Sequence, residues 1–174
     1  MTDFRHRMVA LLPRLRAFAH ALARTPDVAD DLVQATCEKA LRAADSWTPG
    51  TRLDSWMFRI MQNQWIDMKR RDRPHVAIDQ AETGLQLPGD DGERIMEARL
   101  TLASVRGFID TLPEEQRAVL ALVCVEDMSY RETAEILEVP MGTVMSRLAR
   151  ARSALIDSMN GTGRSTSRAS GVTP

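Results

Sequence analysis

The chain has 174 residues, with 23 basic and 24 acidic side chains and a net charge of −1. This balance excludes a simple nucleic-acid coat protein, which needs a strong overall positive charge. The two cysteines lack paired spacing, which argues against a zinc site or a disulfide framework, and no apolar run approaches the roughly 18 residues of a membrane span.

Hydrophobic spacing predicts three helices in the first part of the chain, at about residues 3–23, 27–43 and 52–71. In the second helix the apolar side chains, including Leu32, are expected to point inward. The outer face carries polar side chains at Asp30, Asp31, Gln34 and Glu38. Such a face is most often simply solvated, so these residues alone do not assign it a partner.

The third predicted helix combines aromatic and basic side chains. At about 100° per residue, Arg59, Asn63 and Arg70 project within about 40° of one another, with Trp56 beside them. A cation, an amide and an aromatic ring on one edge can hold single-stranded DNA, because bases stack on the ring and the amide reads an unpaired base edge. Most of the aromatic rings on this helix are nevertheless expected in the core.

Residues 74–92 interrupt the helical periodicity. Proline, glycine and acidic side chains collect there, at Pro74, Asp79, Glu82, Gly84, Pro88, Gly89, Asp90, Asp91 and Gly92. This composition predicts a flexible acidic linker between two domains. Fully extended, the linker would span about 60 Å at about 3.3 Å per residue.

Two more helices are predicted after the linker. One covers residues 93–110, and the next opens with Pro113 in its first turn and the carboxylates of Glu114 and Glu115 near the positive end of its dipole. Residues 113–138 carry seven acidic side chains against two arginines. Positive charge is concentrated instead in residues 59–73 and 141–159, where we expect DNA to bind.

A helix-turn-helix is predicted next. Ser129 and Glu132 have the spacing of a capping box at the start of a short helix, and Pro140 breaks the chain before a longer basic helix. This arrangement places the second helix in the major groove of DNA.

The longer basic helix separates into two faces. Its apolar stripe contains Val144, Leu148, Ala151 and Leu155. The opposite side carries hydroxyl and guanidinium groups, at Thr143, Ser146, Arg147 and Arg150. In an isolated helix this would more often be a solvated face, but after a helix-turn-helix signature it predicts readout of duplex DNA, since hydroxyls bond phosphates or base edges and arginine can bind guanine with two donors.

The predicted fold is therefore all-α, with two small helical domains joined by a flexible acidic linker. The first domain covers residues 1–73, the linker 74–92, and the second domain, with the helix-turn-helix, 93–159. Residues 160–174 contain mostly Gly, Ser, Thr and Arg and predict a disordered tail.

Four motifs in order resemble the bacterial RNA polymerase sigma factors of the sigma-70 family, specifically the small two-domain extracytoplasmic-function (ECF) type. They are Asp30-Asp31-Leu32-Val33-Gln34, Trp56-Met57-Phe58-Arg59-Ile60 with Asn63 and Ile66-Asp67, Leu112-Pro113 with Gln116-Arg117, and Pro140 with Gly142-Thr143-Val144 and Ser146-Arg147. The resemblance runs over about residues 8–159, and residues 144–148 are similar to the alphaproteobacterial general-stress branch.

Glu138 departs from the family, which often has Gly in this turn. Glu at positive φ costs about 1 kcal/mol, unless the turn differs.

The resemblance implies that the protein binds core RNA polymerase and directs promoter-specific transcription initiation. Binding to the clamp coiled coil of the largest polymerase subunit is expected at Asp30, Asp31, Leu32 and Gln34. The melted minus-ten element would contact Trp47, Arg52, Trp56, Arg59, Asn63, Arg70, Arg71 and Arg73. The duplex minus-thirty-five element would contact Thr143, Ser146, Arg147 and Arg150, while the same domain rests on the polymerase flap. A stress or envelope response and an anti-sigma factor partner are also implied.

Two other interpretations stay open. A stand-alone helix-turn-helix regulator would have no use for the aromatic and basic third helix, and a sigma-like decoy for an anti-sigma protein would not need Arg147, Arg150 and the basic cluster at 69–73. The chain shows no nucleophile motif, phosphate loop or metal-ligand spacing, so no enzyme activity, cofactor or metal is predicted. The protein is expected in the cytoplasm, without membrane insertion.

Overall fold

The computed structural model describes residues 2–71 and 107–165, with side chains described within 3–71 and 107–158. Every regular element in these two ranges is helical, which confirms the predicted fold class. The predicted linker at 74–92, Arg73 and most of the helix predicted at 93–110 lie outside the described residues.

Residues 2–71 form the first lobe, which contains three helices. These are α1 (Thr2–Ala23), α2 (Pro26–Arg42) and α3 (Leu53–Arg71), with a 3₁₀ turn at Ala44–Ser46 between the last two. All three match the predicted ranges to within one residue at each end. The start of α2 is well defined because the fixed φ of Pro26 suits a first turn and Asp27 complements the helix dipole.

The core of the first lobe is built around aromatic and sulfur-containing side chains. Phe18 of α1 and Phe58 of α3 are fully buried and meet edge to face, with ring centroids 5.3 Å apart. Leu32 of α2 is also fully buried, and the buried hydroxyl of Thr36 donates to the Leu32 carbonyl at 2.7 Å. The lobe thus buries one face of each helix and leaves the other faces for function.

Residues 107–165 form the second lobe. A helical segment at 107–111 is followed by α4 (Glu114–Leu120), a π-helical turn (Ala121–Val125), α5 (Tyr130–Leu137) and α6 (Met141–Ser165). The π-helical turn was not predicted, because one widened turn leaves little trace in hydrophobic periodicity. Helix α6 runs to Ser165, so the prediction of a disordered tail from residue 160 is wrong for residues 160–165: the established helix continues past the last apolar residue.

The helix-turn-helix is formed by α5 and α6. The predicted capping box is confirmed: the Ser129 hydroxyl accepts from the Glu132 amide at 3.2 Å, and the Glu132 carboxylate accepts from the Ser129 amide at 2.8 Å. Helix α5 ends at Leu137 and is capped by Glu138, which has φ 54° and ψ 45°. The turn therefore has the left-handed conformation at a position where the family often has glycine. Glu138 adopts this conformation at a steric cost.

The two lobes pack against each other. Helix α1 contacts α4 and the π-helical turn, and α3 contacts α5. Buried apolar side chains of both lobes belong to one continuous cluster, and Met128 of the second lobe lies 3.6 Å from the Ser55 hydroxyl of α3. This packing of the lobes determines which of the residues predicted to bind nucleic acid are exposed to solvent.

Candidate nucleic-acid interface

The polar face of α6, which was predicted to bind duplex DNA, lies at the surface. Val144, Leu148 and Ala151 are buried in the second lobe, as predicted. On the opposite side Ser146 and Arg150 are exposed, whereas Thr143 and Arg147 are half-buried. The helix therefore presents one polar edge, with the geometry that a reader helix needs in a major groove.

Local hydrogen bonding fixes the start of this helix. The amides of Thr143 and Val144 both donate to the Pro140 carbonyl, at 2.9 and 3.3 Å, and the Ser146 hydroxyl donates to the Thr143 carbonyl at 3.1 Å. Because proline needs no amide partner, it suits the end of the turn. The first turn of α6 is thus held in position by hydrogen bonds within the chain.

A second polar face lies along α3. Arg59 is exposed, and Asn63 and Trp56 are half-buried at helix spacings of four and three residues from it, which places them on one side of the helix. Trp56 packs edge-on against Phe4 of α1, with ring centroids 6.1 Å apart. Arg70 and Arg71 are exposed near the end of the helix. This face brings together a cation, an amide and a partly accessible ring, as the spacing predicted.

Trp47 does not belong to this accessible face. Its side chain is only 9% exposed, its ring lies 5.8 Å from that of Phe4, and the Arg7 guanidinium lies 4.9 Å from the ring centroid. Its indole Nε1 is buried without a hydrogen-bond partner among the described residues. Burying this large ring against α1 is favoured over leaving it in a loop, and its contact with melted DNA stays a prediction.

The predicted polymerase-binding residues differ in their exposure to solvent. Asp30, Asp31 and Gln34 are exposed on α2, and the Gln34 amide donates to the Glu38 carboxylate at 3.2 Å. Leu32 is 0% exposed and lies in the core of the first lobe. As the helical spacing predicted, the position of Leu32 turns it inward, and its contact with the polymerase stays a prediction.

Three exposed cations of the first lobe pair with carboxylates of the second lobe. Arg52 Nη1 lies 2.7 Å from Glu132 Oε1, and Arg59 Nη2 lies 3.4 Å from Glu138 Oε1. The third cation, Lys69, lies 2.9 Å from Glu114 Oε2. Two of these cations, Arg52 and Arg59, are residues predicted to bind DNA.

Glu114 makes one more contact with the first lobe. The indole Nε1 of Trp65 donates to Glu114 Oε1 at 2.8 Å, and the Lys69 ammonium lies 5.7 Å from the centroid of the Trp65 ring. A single carboxylate at the start of α4 therefore holds both a cation and an aromatic donor of α3. The sequence assigned no binding role to Trp65, and no sequence signal pointed to Glu114 as its partner.

A more buried ionic group lies beside these pairs. Arg14 of α1 donates from Nε to Glu126 Oε2 at 2.6 Å and from Nη1 to Asp54 Oδ2 at 3.0 Å. The Glu126 side chain is 3% exposed. Arg52 also binds Asp54, so that both lobes contribute to one connected network. Sequence reasoning missed Arg14 and Glu126, since they are 112 residues apart and neither lies in a motif.

The network sets the ionisation of its carboxylates. Partial burial raises the pKa of Asp54, but hydrogen bonds from Arg52, the Ser55 amide and Arg14 outweigh burial and lower the pKa to about 2. The pKa of Glu132 is lowered mainly by the hydrogen bonds from the Ser129 hydroxyl and amide, with a further contribution from Arg52. Both acids are therefore anionic at neutral pH and remain available to the cations.

Arg117 of α4 anchors the second lobe to the end of α1. Its side chain is buried and donates to the carbonyls of Ala21, Leu112 and Leu22, at 2.8, 2.7 and 3.3 Å. The carbonyls of Ala21 and Leu22 lack helical partners because they lie in the last turn of α1, at the negative end of the helix dipole. Burial lowers the pKa of Arg117. This member of a predicted sigma motif therefore contributes to lobe docking.

The described residues contain no cluster of three or more His, Cys, Asp or Glu side chains arranged to hold a metal ion. Within the same part of the chain, no helix combines the length and hydropathy that crossing a bilayer requires.

Comparisons with known proteins agree with the two-lobe arrangement. The family model described as Sigma-70 region 2 matches residues 8–74, and the model described as Sigma-70, region 4 matches residues 102–155. The first match falls on the lobe with the α3 face, and the second contains the helix-turn-helix.

Individual relatives extend this result over most of the chain. The ECF RNA polymerase sigma factor EcfG of Rhodopseudomonas palustris (strain TIE-1) is 38% identical over 156 residues, which cover 89% of this chain and 84% of the relative. SigW, an ECF RNA polymerase sigma factor of Bacillus subtilis (strain 168), is 31% identical over 137 residues, 73% of each chain.

A solved sigma-factor structure is also similar to this chain. The sigma factor RpoE, in complex with the anti-sigma factor NepR from Bartonella quintana, matches with a TM-score of 0.73 and 30% sequence identity, over 92% of this chain and 98% of that chain. With two sigma-70 regions in order, a helix-turn-helix in the second and relatives that align over nearly its whole length, the chain belongs to the ECF RNA polymerase sigma factors, which bind core polymerase and direct it to promoters.

Proposed function

We propose that the two polar faces divide promoter recognition between the lobes. The edge of α6 with Thr143, Ser146, Arg147 and Arg150 binds the duplex minus-thirty-five element. The α3 face with Trp56, Arg59 and Asn63 binds the melted minus-ten element, and Arg52, Arg70, Arg71 and Arg73 bind its phosphates. The observation that carries this proposal is the presence of two chemically different faces in two lobes, each lobe matching a different sigma-70 region.

The chemistry of each face fits its assigned form of DNA. A helix edge with short hydroxyls and arginines suits the major groove, where base edges are displayed in pairs. A partly accessible ring beside an amide suits bases that have left the duplex, because stacking and an unpaired edge are then available. The exposed acids and amide of α2, at Asp30, Asp31 and Gln34, supply the contact with the polymerase clamp.

Regulation is proposed from the same comparisons. RpoE from Bartonella quintana was solved with the anti-sigma factor NepR, and we infer that this chain is likewise held by an anti-sigma protein. Its similarity to EcfG and the sequence of residues 144–148 support membership of the general-stress branch. The factor would act in the cytoplasm, where the polymerase carries out the catalysis and the sigma factor supplies promoter recognition alone.

A promoter-selection experiment tests the function. Purified chain and core polymerase are mixed with a random promoter library, and the starts of the transcripts are sequenced. Two shared sequence elements upstream of the starts are expected only when the chain is present. Failure of the chain to bind core polymerase, or starts that match those of core polymerase alone, would contradict the proposal.

A further inference from the structure

Two methionines near the start of α6 are exposed although their side chains are apolar. Met141 is the first residue of the helix, and Met145, which is 45% exposed, follows one turn later. Neither belongs to the buried core of the second lobe. Packing of the lobe therefore does not account for the choice of a large apolar side chain at these positions.

Met145 is surrounded by small residues on the surface of the helix. Gly142 and Ala149, three and four positions away, are its neighbours along the same side, and both are exposed. A Cβ atom added at Gly142 would meet no heavy atom within 4 Å. The thioether of Met145 therefore extends beyond the side chains next to it, into open space.

Met145 and the arginines of α6 lie on opposite flanks of one exposed residue. At about 100° per residue, Arg147 projects about 100° from Ser146 in one direction, and Met145 projects about 100° from it in the other. Arg150 lies on the same flank as Arg147, about 40° from Ser146. A helix about 10–12 Å in diameter fills a major groove about 12 Å wide, so its two flanks face opposite sides of the groove. One side would meet guanidinium groups and the other Met145.

Met145 also lies in the part of the helix that can reach base edges. A reader helix contacts bases with its N-terminal residues, and Met145 is the fifth residue of α6. Met141 is closer to the turn and projects about 40° further towards the buried side of the helix. Of the two exposed methionines, Met145 is therefore the one that faces the groove.

The chemistry of the thioether restricts what it can recognise. Its sulfur is only a weak hydrogen-bond acceptor, and the side chain has no donor. Covering a polar base atom or a phosphate with this group would remove hydration without a compensating hydrogen bond. The one apolar group that base pairs display in the major groove is the C5 methyl group of thymine.

We propose that Met145 is a specificity-determining residue of α6, which selects an A·T base pair in the minus-thirty-five element by packing on the C5 methyl group of its thymine. This inference rests on the proposed function, in which α6 binds that element as duplex. It assigns the two flanks of the helix different tasks. The arginines read polar base edges or hold phosphates, and Met145 reads a methyl group.

The test removes single methyl groups from the DNA. In promoters found in the selection, each thymine of the minus-thirty-five element, on either strand, is replaced in turn by deoxyuridine, which lacks only the C5 methyl group. The dissociation constant of the holoenzyme is measured for every duplex, with wild-type chain and with Met145→Ala. This variant should fold, because the position is exposed and alanine favours helices.

Ile156→Ala is the matched control. Ile156 is also an exposed apolar residue of α6, 57% accessible, and it projects within about 20° of Met145. It lies 11 positions later in the sequence, roughly 16 Å further along the helix axis and away from the N-terminal part that reaches bases. Met145→Leu is a second control, since leucine keeps an apolar side chain of similar volume.

At one thymine of the element, deoxyuridine should weaken binding of the wild-type holoenzyme about fourfold, which corresponds to about 0.8 kcal/mol for one buried methyl group. Met145→Ala should bind the thymine and deoxyuridine duplexes equally at that position. Ile156→Ala and Met145→Leu should keep the loss. A selected element without A·T pairs, no loss at any thymine, or the same loss in wild type and Met145→Ala would overturn the inference.

Arg147→Ala separates this inference from the proposed function. If Arg147→Ala weakens duplex binding while no thymine depends on Met145, α6 binds the duplex as proposed and only the methyl contact is wrong. If Arg147→Ala, Met145→Ala and every deoxyuridine leave binding unchanged, α6 does not read the element, and both the proposed function of this face and the inference are wrong.

Discussion

Arg14 and Glu126 join the two lobes through a 2.6 Å contact between Nε and Oε2, in which the acid is almost completely buried and the base is about one-third exposed. Replacing Arg14 by Ala would leave the Glu126 carboxylate buried without its cation. Because a buried unpaired acceptor is costly, we expect the free energy of unfolding to fall by about 2 kcal/mol. Urea unfolding of the full chain measures this change.

Arg16→Ala is the matched control for this prediction. Arg16 lies on the same helix, but its pair with Asp30 is long, at 4.0 Å, and both side chains are well exposed. Its loss should change stability by less than about 0.5 kcal/mol. Similar losses in the two variants would show that the contact between Arg14 and Glu126 does not hold the lobes together.

The sequence was sufficient to predict the elements but not their docking. Helix limits in the first lobe and the capping box at Ser129 follow from local periodicity and end signals, which depend on neighbours a few residues away. The burial of Leu32 also follows from its spacing in α2, whereas the burial of Trp47 depends on its contact with Phe4, which is far away along the chain. The contact of Arg14 with Glu126 is equally non-local, so no pattern within either lobe could reveal it.

Substitutions in α2 should separate polymerase binding from folding. Leu32→Ala removes a fully buried side chain and is expected to lower the free energy of unfolding by about 2 to 5 kcal/mol. Asp31→Ala and Gln34→Ala change exposed groups and should leave stability within about 0.5 kcal/mol. Both surface variants should still weaken binding to core polymerase, measured by competition with wild-type chain. Normal polymerase binding by both would refute the assignment of this face.

Stability should depend on Asp54 at acid pH. Its carboxyl has a pKa of about 2 in the folded chain against an ordinary value of 3.8, so the charged form stabilises the fold above about pH 4 and this contribution disappears as the pH falls towards 2. Solvent reaches part of the group, so we expect a contribution of about 1 to 2 kcal/mol.

Asp54→Asn removes this titration. The difference in unfolding free energy between wild type and variant should therefore shrink between about pH 4 and about pH 2, as measured by urea unfolding at several pH values. Asp45→Asn, in the exposed turn before α3, serves as the control and should follow the wild-type pH profile more closely. A constant difference between wild type and Asp54→Asn across this range would contradict the role given to the network around Arg14.

The two DNA faces should respond differently to mutation. Arg147→Ala removes a guanidinium from the reading edge of α6 and should weaken binding to minus-thirty-five duplex by about 5- to 150-fold, which corresponds to about 1 to 3 kcal/mol. Arg152→Ala provides the control, since Arg152 projects about 140° around the helix from Arg147 and is exposed beside Cys124. Duplex binding is measured with holoenzyme on promoters found in the selection.

Asn63→Ala should leave that duplex binding intact and impair promoter opening, because the lost amide contacts a base only after the strands have parted. Opening is measured by the fluorescence of 2-aminopurine placed in the minus-ten element. A template already mismatched across the minus-ten element removes the melting step, so it should restore part of the activity of Asn63→Ala and none of that lost in Arg147→Ala. If both variants fail equally in every assay, the lobes do not divide the promoter as proposed.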